Sequence, residues 1–228
     1  MVTSAVNHYC KSSIGRKQLV AVTGLLLCGF LVGHLSGNFL LLVGPDAFNI
    51  YAHKLASLGP MLYLIEAGLA AIFLVHLGLA MKLNMENMKS RGKYQEKNKT
   101  GRGTTFASQT MPYTGIILLI FLVLHLCSLK FGSYYETTVD GVLMRDLYRT
   151  TIEYFASTTA TAWYVVAMFC AAIHTSHGFA SAFQSLGLNH GKYFKNVKRL
   201  GLIYAILVGG GFAFVSIWCH MKGVYYGH

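Results

Sequence analysis

Five apolar stretches dominate this chain, at residues 19–43, 61–83, 111–131, 158–183 and 200–221. Each holds about 20 or more residues, enough to cross roughly 30 Å of hydrocarbon as a helix rising 1.5 Å per residue. Their apolar residues show no strict alternation and few turn signals, so they read as helices rather than barrel strands. A helix also pairs its own backbone N–H and C=O groups, as a hydrocarbon solvent demands. The composition agrees: 54% of residues are hydrophobic, mean hydropathy is +0.47, and only 12% are charged. Soluble domains carry about 25% charged residues, so a water-soluble enzyme is excluded, and so is a disordered chain. The expected fold is an all-α membrane protein, a single transmembrane domain over residues 1–228. Its first four helices form an up-down bundle.

The net charge of +11 comes from 19 basic and 8 acidic residues. The basic ones cluster in the arm and two of the links: Lys11, Arg16 and Lys17, then Lys82 to Arg102, then Lys192, Lys195, Lys198 and Arg199. The remaining links mix Lys54, Lys130, Arg145, Arg149 and Lys222 with acidic residues. The positive-inside bias therefore sets the N-terminus in the cytoplasm and the C-terminus outside. It accounts for the charge without nucleic acid, and leaves a basic face for acidic lipids or a soluble partner. The first span has a basic flank, but its apolar part runs to about 25 residues without an A-x-A cleavage site, so it is expected to be retained. Cys10, Cys28, Cys127, Cys170 and Cys219 are scattered, with no C-x-x-C pair and no C-x-x-C-H site for covalent haem attachment.

Ionisable residues inside spans are costly and point to function. His34, His76, His125 and His174 lie one in each of the first four spans. Each falls about two-thirds of the way along its helix. Because the helices alternate in direction, His34 and His125 share an outer layer and His76 and His174 an inner one. The layers are expected roughly 10–12 Å apart at helical rise. Both pairs are diagonal across one core, where two imidazoles can hold a flat metal macrocycle between them. Bis-histidine ligation leaves no open iron position and suits electron transfer. His177, one turn from His174, competes with it as ligand or serves as its hydrogen-bond partner. Gly29, Gly33 and Gly37 beside His34, and the Gly209-Gly210-Gly211 run, fit either a porphyrin edge or close helix packing. His220 fits a structural role. His8, His53, His190 and His228 fall outside the spans.

This pattern resembles the five-span, di-haem cytochrome b anchor of succinate dehydrogenases and fumarate reductases. The matching residues are His34-Leu35-Ser36-Gly37-Asn38, His76, His125 and the stretch from His174-Thr175-Ser176-His177-Gly178 to His190. The resemblance implies two b haems, an outer, distal one on His34 and His125 and an inner, proximal one on His76 and His174. It favours His174 over His177 as the ligand. It implies partners too: a flavoprotein with covalent FAD and an iron–sulfur protein on the cytoplasmic face. Electrons would pass between the haems and a quinone, menaquinone above all, in a bacterial inner membrane. Glu66, the one acidic residue well inside a span, is the candidate proton acceptor at a distal quinol site. Its alternative role is a helix-end carboxylate in interfacial water. Lys130 and Lys82 are candidate partners for haem propionates. Two other readings stay open. One is the di-haem cytochrome b of a formate dehydrogenase, hydrogenase or nitrate reductase. The other is a haem-free protein whose histidines relay protons.

Overall fold

The computed structural model describes residues 12–91 and 106–226. Cys10, Lys11, Lys93, Lys97, Lys99, Arg102, His8 and His228 lie outside the described residues. Five helical segments are long and apolar enough to cross a membrane: Ser13–Val43, Pro60–Lys89, Gln109–Lys130, Thr158–Ser185 and Gly191–Tyr225. All five expected spans are present, and several extend beyond the apolar stretch because polar residues continue the helix past the hydrocarbon-length core.

Helix α1 (Ser13–Asn38) opens on Ser12, whose hydroxyl accepts from the Gly15 N–H at 3.0 Å. A single turn, α2 (Leu40–Val43), completes the span, and α3 (Pro45–Ala56) follows with Pro45 pre-set for a first helical turn. Helix α4 (Pro60–Arg91) returns, and α5 (Phe106–His125) runs out again into a π-helical turn over Leu126–Lys130. Strands β1 (Glu136–Val139) and β2 (Val142–Arg145) pair antiparallel, Glu136 opposite Arg145. Amphipathic α6 (Leu147–Phe155), α7 (Thr158–Ser185) and α8 (Gly191–Tyr226) complete the chain.

The first, second, third and fourth spanning helices pack as a square in which α1 touches α4 and α7, and α5 touches α7. Helices α4 and α5 barely meet along their lengths, but the Glu66 carboxylate of α4 is ion-paired with Lys130 at the end of the π-turn. At the opposite end Arg16 of α1 holds Glu86 of α4 at 2.8 Å. Helix α8 lies outside the square, packed most extensively on α7. Glycine makes that approach possible. A Cβ on Gly209 would stand 2.9 Å from Ala172 Cβ and 3.1 Å from the Met168 carbonyl, and one on Gly211 would stand 2.7 Å from Leu35. These two glycines of the run therefore serve packing. In the α1 stripe Gly37 is pressed against the Tyr51 ring, whereas Gly29 and Gly33 face open space beside His34.

The hairpin departs from the all-α expectation. Asp140 and Gly141 both have positive φ, 51° and 78°, the conformation that an Asp-Gly hairpin turn requires. Arg145 at the end of β2 donates to the carbonyls of Leu129, Lys130 and Ser133 at 2.9–3.2 Å. Leu129 and Lys130 are acceptors that the end of the π-turn leaves without helical partners, and Ser133 lies just beyond it. Asn49 of α3, 1% exposed, donates to Asp146 Oδ1 at 2.8 Å and accepts from the Tyr148 N–H at 2.9 Å. Below this cap lies the main apolar cluster of Leu41, Phe48, Phe155, Tyr164, Val215 and Cys219. His220 closes it from α8, its Nδ1 donating to the Phe155 carbonyl at 2.8 Å.

Candidate functional site

The first layer is a direct meeting of diagonal helices. His34 of α1 and His125 of α5 have ring centres 5.8 Å apart with planes at 90°. Aromatic side chains enclose them. Phe30, one turn before His34, stacks on it at 5.3 Å, and Phe212 of α8 lies 5.5 Å away. Phe121, one turn before His125, lies 5.6 Å from its ring, and the Tyr164 hydroxyl of α7 is 3.2 Å from His125 Nδ1.

The second layer is His76 of α4 and His174 of α7, each held at its Nδ1 by a neighbouring helix. His76 Nδ1 stands 3.1 Å from the Val20 carbonyl and 3.1 Å from Thr23 Oγ1, both on α1. A carbonyl only accepts, so Nδ1 carries the ring proton and Nε2 keeps its lone pair. Thr23 agrees, because its own proton goes to the Leu19 carbonyl at 2.7 Å. His174 repeats the arrangement. Its Nδ1 is 3.1 Å from Thr114 Oγ1 of α5, whose proton is directed at the Thr110 and Met111 carbonyls, each at 3.1 Å.

Thr23 and Thr114 thus mark the level of the second layer on α1 and α5, eleven residues before His34 and His125. That places the layers about 16 Å apart at helical rise, farther than the 10–12 Å expected from span midpoints. Midpoints need not share a plane, because side-chain contacts set the relative height of packed helices.

Sequence reasoning missed Thr23, Thr114 and Tyr164, and for the threonines the signal was there. Thr23-Gly24 followed by Phe30-Leu31-Val32-Gly33-His34-Leu35 recurs as Thr114-Gly115 followed by Phe121-Leu122-Val123-Leu124-His125-Leu126. Helices α1 and α5 are copies of one pattern, and each brings a histidine to one layer and a threonine to the other. Gly24 gives the ring of His76 its room, since a Cβ there would stand 3.0 Å from His76 Cε1.

The other candidates are placed less centrally. His177 is half-buried near the end of α7. Lys82 is exposed on α4, and Lys130 is taken up with Glu66. A small polar cleft of about 250 Å³ lies near that end, lined by Ser128, Ser133, Thr150, Glu153 and Tyr154. There the Arg149 guanidinium hydrogen-bonds Glu153 and holds its carboxyl below the usual range.

Among the described residues no three His, Cys, Asp or Glu side chains converge as a bare metal ion would need. A porphyrin brings four nitrogens of its own and asks the protein for two axial side chains. Two imidazoles bonded at about 2 Å on opposite sides of one metal ion have ring centres roughly 6 Å apart. The His34–His125 separation fits that demand, and the Nδ1-protonated form of His76 and His174 is the one a metal ligand uses. No protein-family model, curated protein or solved structure matches this chain.

Proposed function

We propose that this chain is the membrane-anchor cytochrome b of a succinate:quinone oxidoreductase, working as succinate dehydrogenase or fumarate reductase. The observation that carries the reading is the approach of His34 and His125 from diagonal helices, above a second pair whose Nδ1 atoms are already bonded. In this reading His34 and His125 would hold a distal b haem, and His76 and His174 a proximal one. Haem with both axial positions filled by imidazole supplies one-electron transfer rather than oxygen binding.

The chain's own residues do the rest. Phe30, Phe121 and Phe212 keep water from the distal pair. Glu66, ion-paired with Lys130 at the end of the π-turn, accepts a proton from the quinol. The quinone is menaquinone, and the membrane is a bacterial inner membrane with the N-terminus in the cytoplasm. The basic cytoplasmic face docks a flavoprotein with FAD and an iron–sulfur subunit. The Arg16–Glu86 pair stands on that side, by the proximal layer.

The test is spectroscopic. Purified chain should show a reduced b-type spectrum with two haems per chain. His34→Ala or His125→Ala should remove one, and His76→Ala or His174→Ala the other. A chain free of haem would overturn the reading in favour of a metal-free proton relay. If His177→Ala lost a haem and His174→Ala kept both, the fourth ligand would be reassigned. Co-purification with subunits of a formate dehydrogenase, hydrogenase or nitrate reductase would keep the haems and change the complex.

A further inference from the structure

Resting on the di-haem reading, we infer that Thr23 and Thr114 are matched positioning residues for the proximal pair. Each is supplied by one copy of the repeated helix pattern, and each accepts from the ring N–H of a histidine on the neighbouring helix and orients that ring, at His76 alongside the Val20 carbonyl at 3.1 Å. The geometry is the same twice. An outward-running helix ends its hydroxyl's donor capacity on a carbonyl three or four residues back, at 2.7 Å for Thr23 and 3.1 Å for Thr114. The remaining lone pair then faces Nδ1 of the next helix's histidine, at 3.1 Å in both cases. The hydroxyl therefore acts as an acceptor, and Nε2 is the nitrogen left to bond metal.

The distal pair lacks this device. His125 meets a tyrosine hydroxyl at 3.2 Å, and His34 is held by ring stacking. A ligand whose far N–H is hydrogen-bonded is a stronger base and favours the more highly charged metal state. The two threonines thus bias the proximal iron toward its oxidised form and leave the distal iron untouched.

The experiment is redox titration of the full-length chain in its membrane complex, followed by haem absorbance and by low-spin electron paramagnetic resonance. Thr23→Val and Thr114→Val keep side-chain shape and remove the hydroxyl. Thr114→Val should raise the reduced-to-oxidised ratio of the proximal haem about tenfold at fixed potential, a rise of about 59 mV for one electron, and Thr23→Val should raise it by less, because the Val20 carbonyl still accepts from His76. The distal haem should stay put, and Thr→Ser at either position should restore wild-type behaviour. Loss of the proximal haem in the Val variants, restored by Ser, supports the same role. An unchanged proximal potential and spectrum in the Val variants overturns it, as does a Ser variant that behaves like Val. A wild-type chain without b-type haem would instead overturn the functional reading on which this role rests.

Discussion

Two glycines occupy equivalent places in the repeated pattern, and their surroundings differ by a fraction of an ångström. A Cβ at Gly24 would stand 3.0 Å from His76 Cε1, whereas one at Gly115 would stand 3.7 Å from His174 Cε1. The His76 ring cannot easily retreat, because Val20 and Thr23 both hold its Nδ1. If the chain holds the two haems proposed, Gly24→Ala should therefore weaken or empty the proximal site and Gly115→Ala should leave it filled; haem content per chain, with the distal haem as internal standard, checks this. Glu66 carries a second prediction at this scale. On the proposed di-haem, quinol-linked function, Glu66→Gln would keep the shape and remove the base, so quinone-linked turnover should fall at least a hundredfold with both haems retained. Dicarboxylate oxidation through an artificial acceptor on the soluble partners should continue. The four histidines were legible in the sequence because an imidazole in an apolar run is conspicuous. The threonines were not, because a single threonine in a helix is ordinary until its eleven-residue spacing to a histidine is seen to recur.

The spanning helices follow from apolar run length, which is why all five could be read directly. The elements of the cap could not be read that way. Strands β1 and β2, α3 and α6 are each too short for a periodic signal to stand out, and their evidence was local: Gly44-Pro45 before α3 and Asp140-Gly141 between the strands. What joins them is Asn49, which bridges α3 to the start of α6 through two hydrogen bonds made in a buried place. Asn49→Leu would leave the Tyr148 N–H without its partner, and Asp146 would lose one donor while keeping the Arg149 N–H at 2.9 Å. The expected cost is about 1–3 kcal/mol, read as a lower thermal midpoint in detergent. The histidine layers are built on other helices, so the haem spectrum before melting should match wild type. An unchanged midpoint would mean that the cap is held by its apolar contacts with Leu41, Phe48 and Phe155 alone.

At the scale of the whole molecule, charge placement and internal geometry bear on different questions. The layers are fixed by side-chain contacts between helices, so they would be the same if the bundle were inserted upside down. Only the basic residues distinguish the two faces. Arg16, Lys17, Lys82, Lys89, Lys192, Lys195, Lys198 and Arg199 gather at one end of the bundle, whereas the hairpin end mixes Arg145 and Arg149 with Glu136, Asp140, Asp146 and Glu153. A reporter active only outside the cytoplasm, fused after Met221, should therefore be active, and the same reporter inserted between Lys89 and Arg102 should be silent. A cytoplasmic reporter should give the opposite pattern. That outcome puts the His76/His174 layer nearer the cytoplasmic face, where iron–sulfur partners would deliver or collect electrons, and puts Glu66 with Lys130 on the far side. The reverse outcome would leave every histidine contact unchanged. It would exchange the proximal and distal assignments, and Arg16 and Glu86 would then stand on the side away from any cytoplasmic partner.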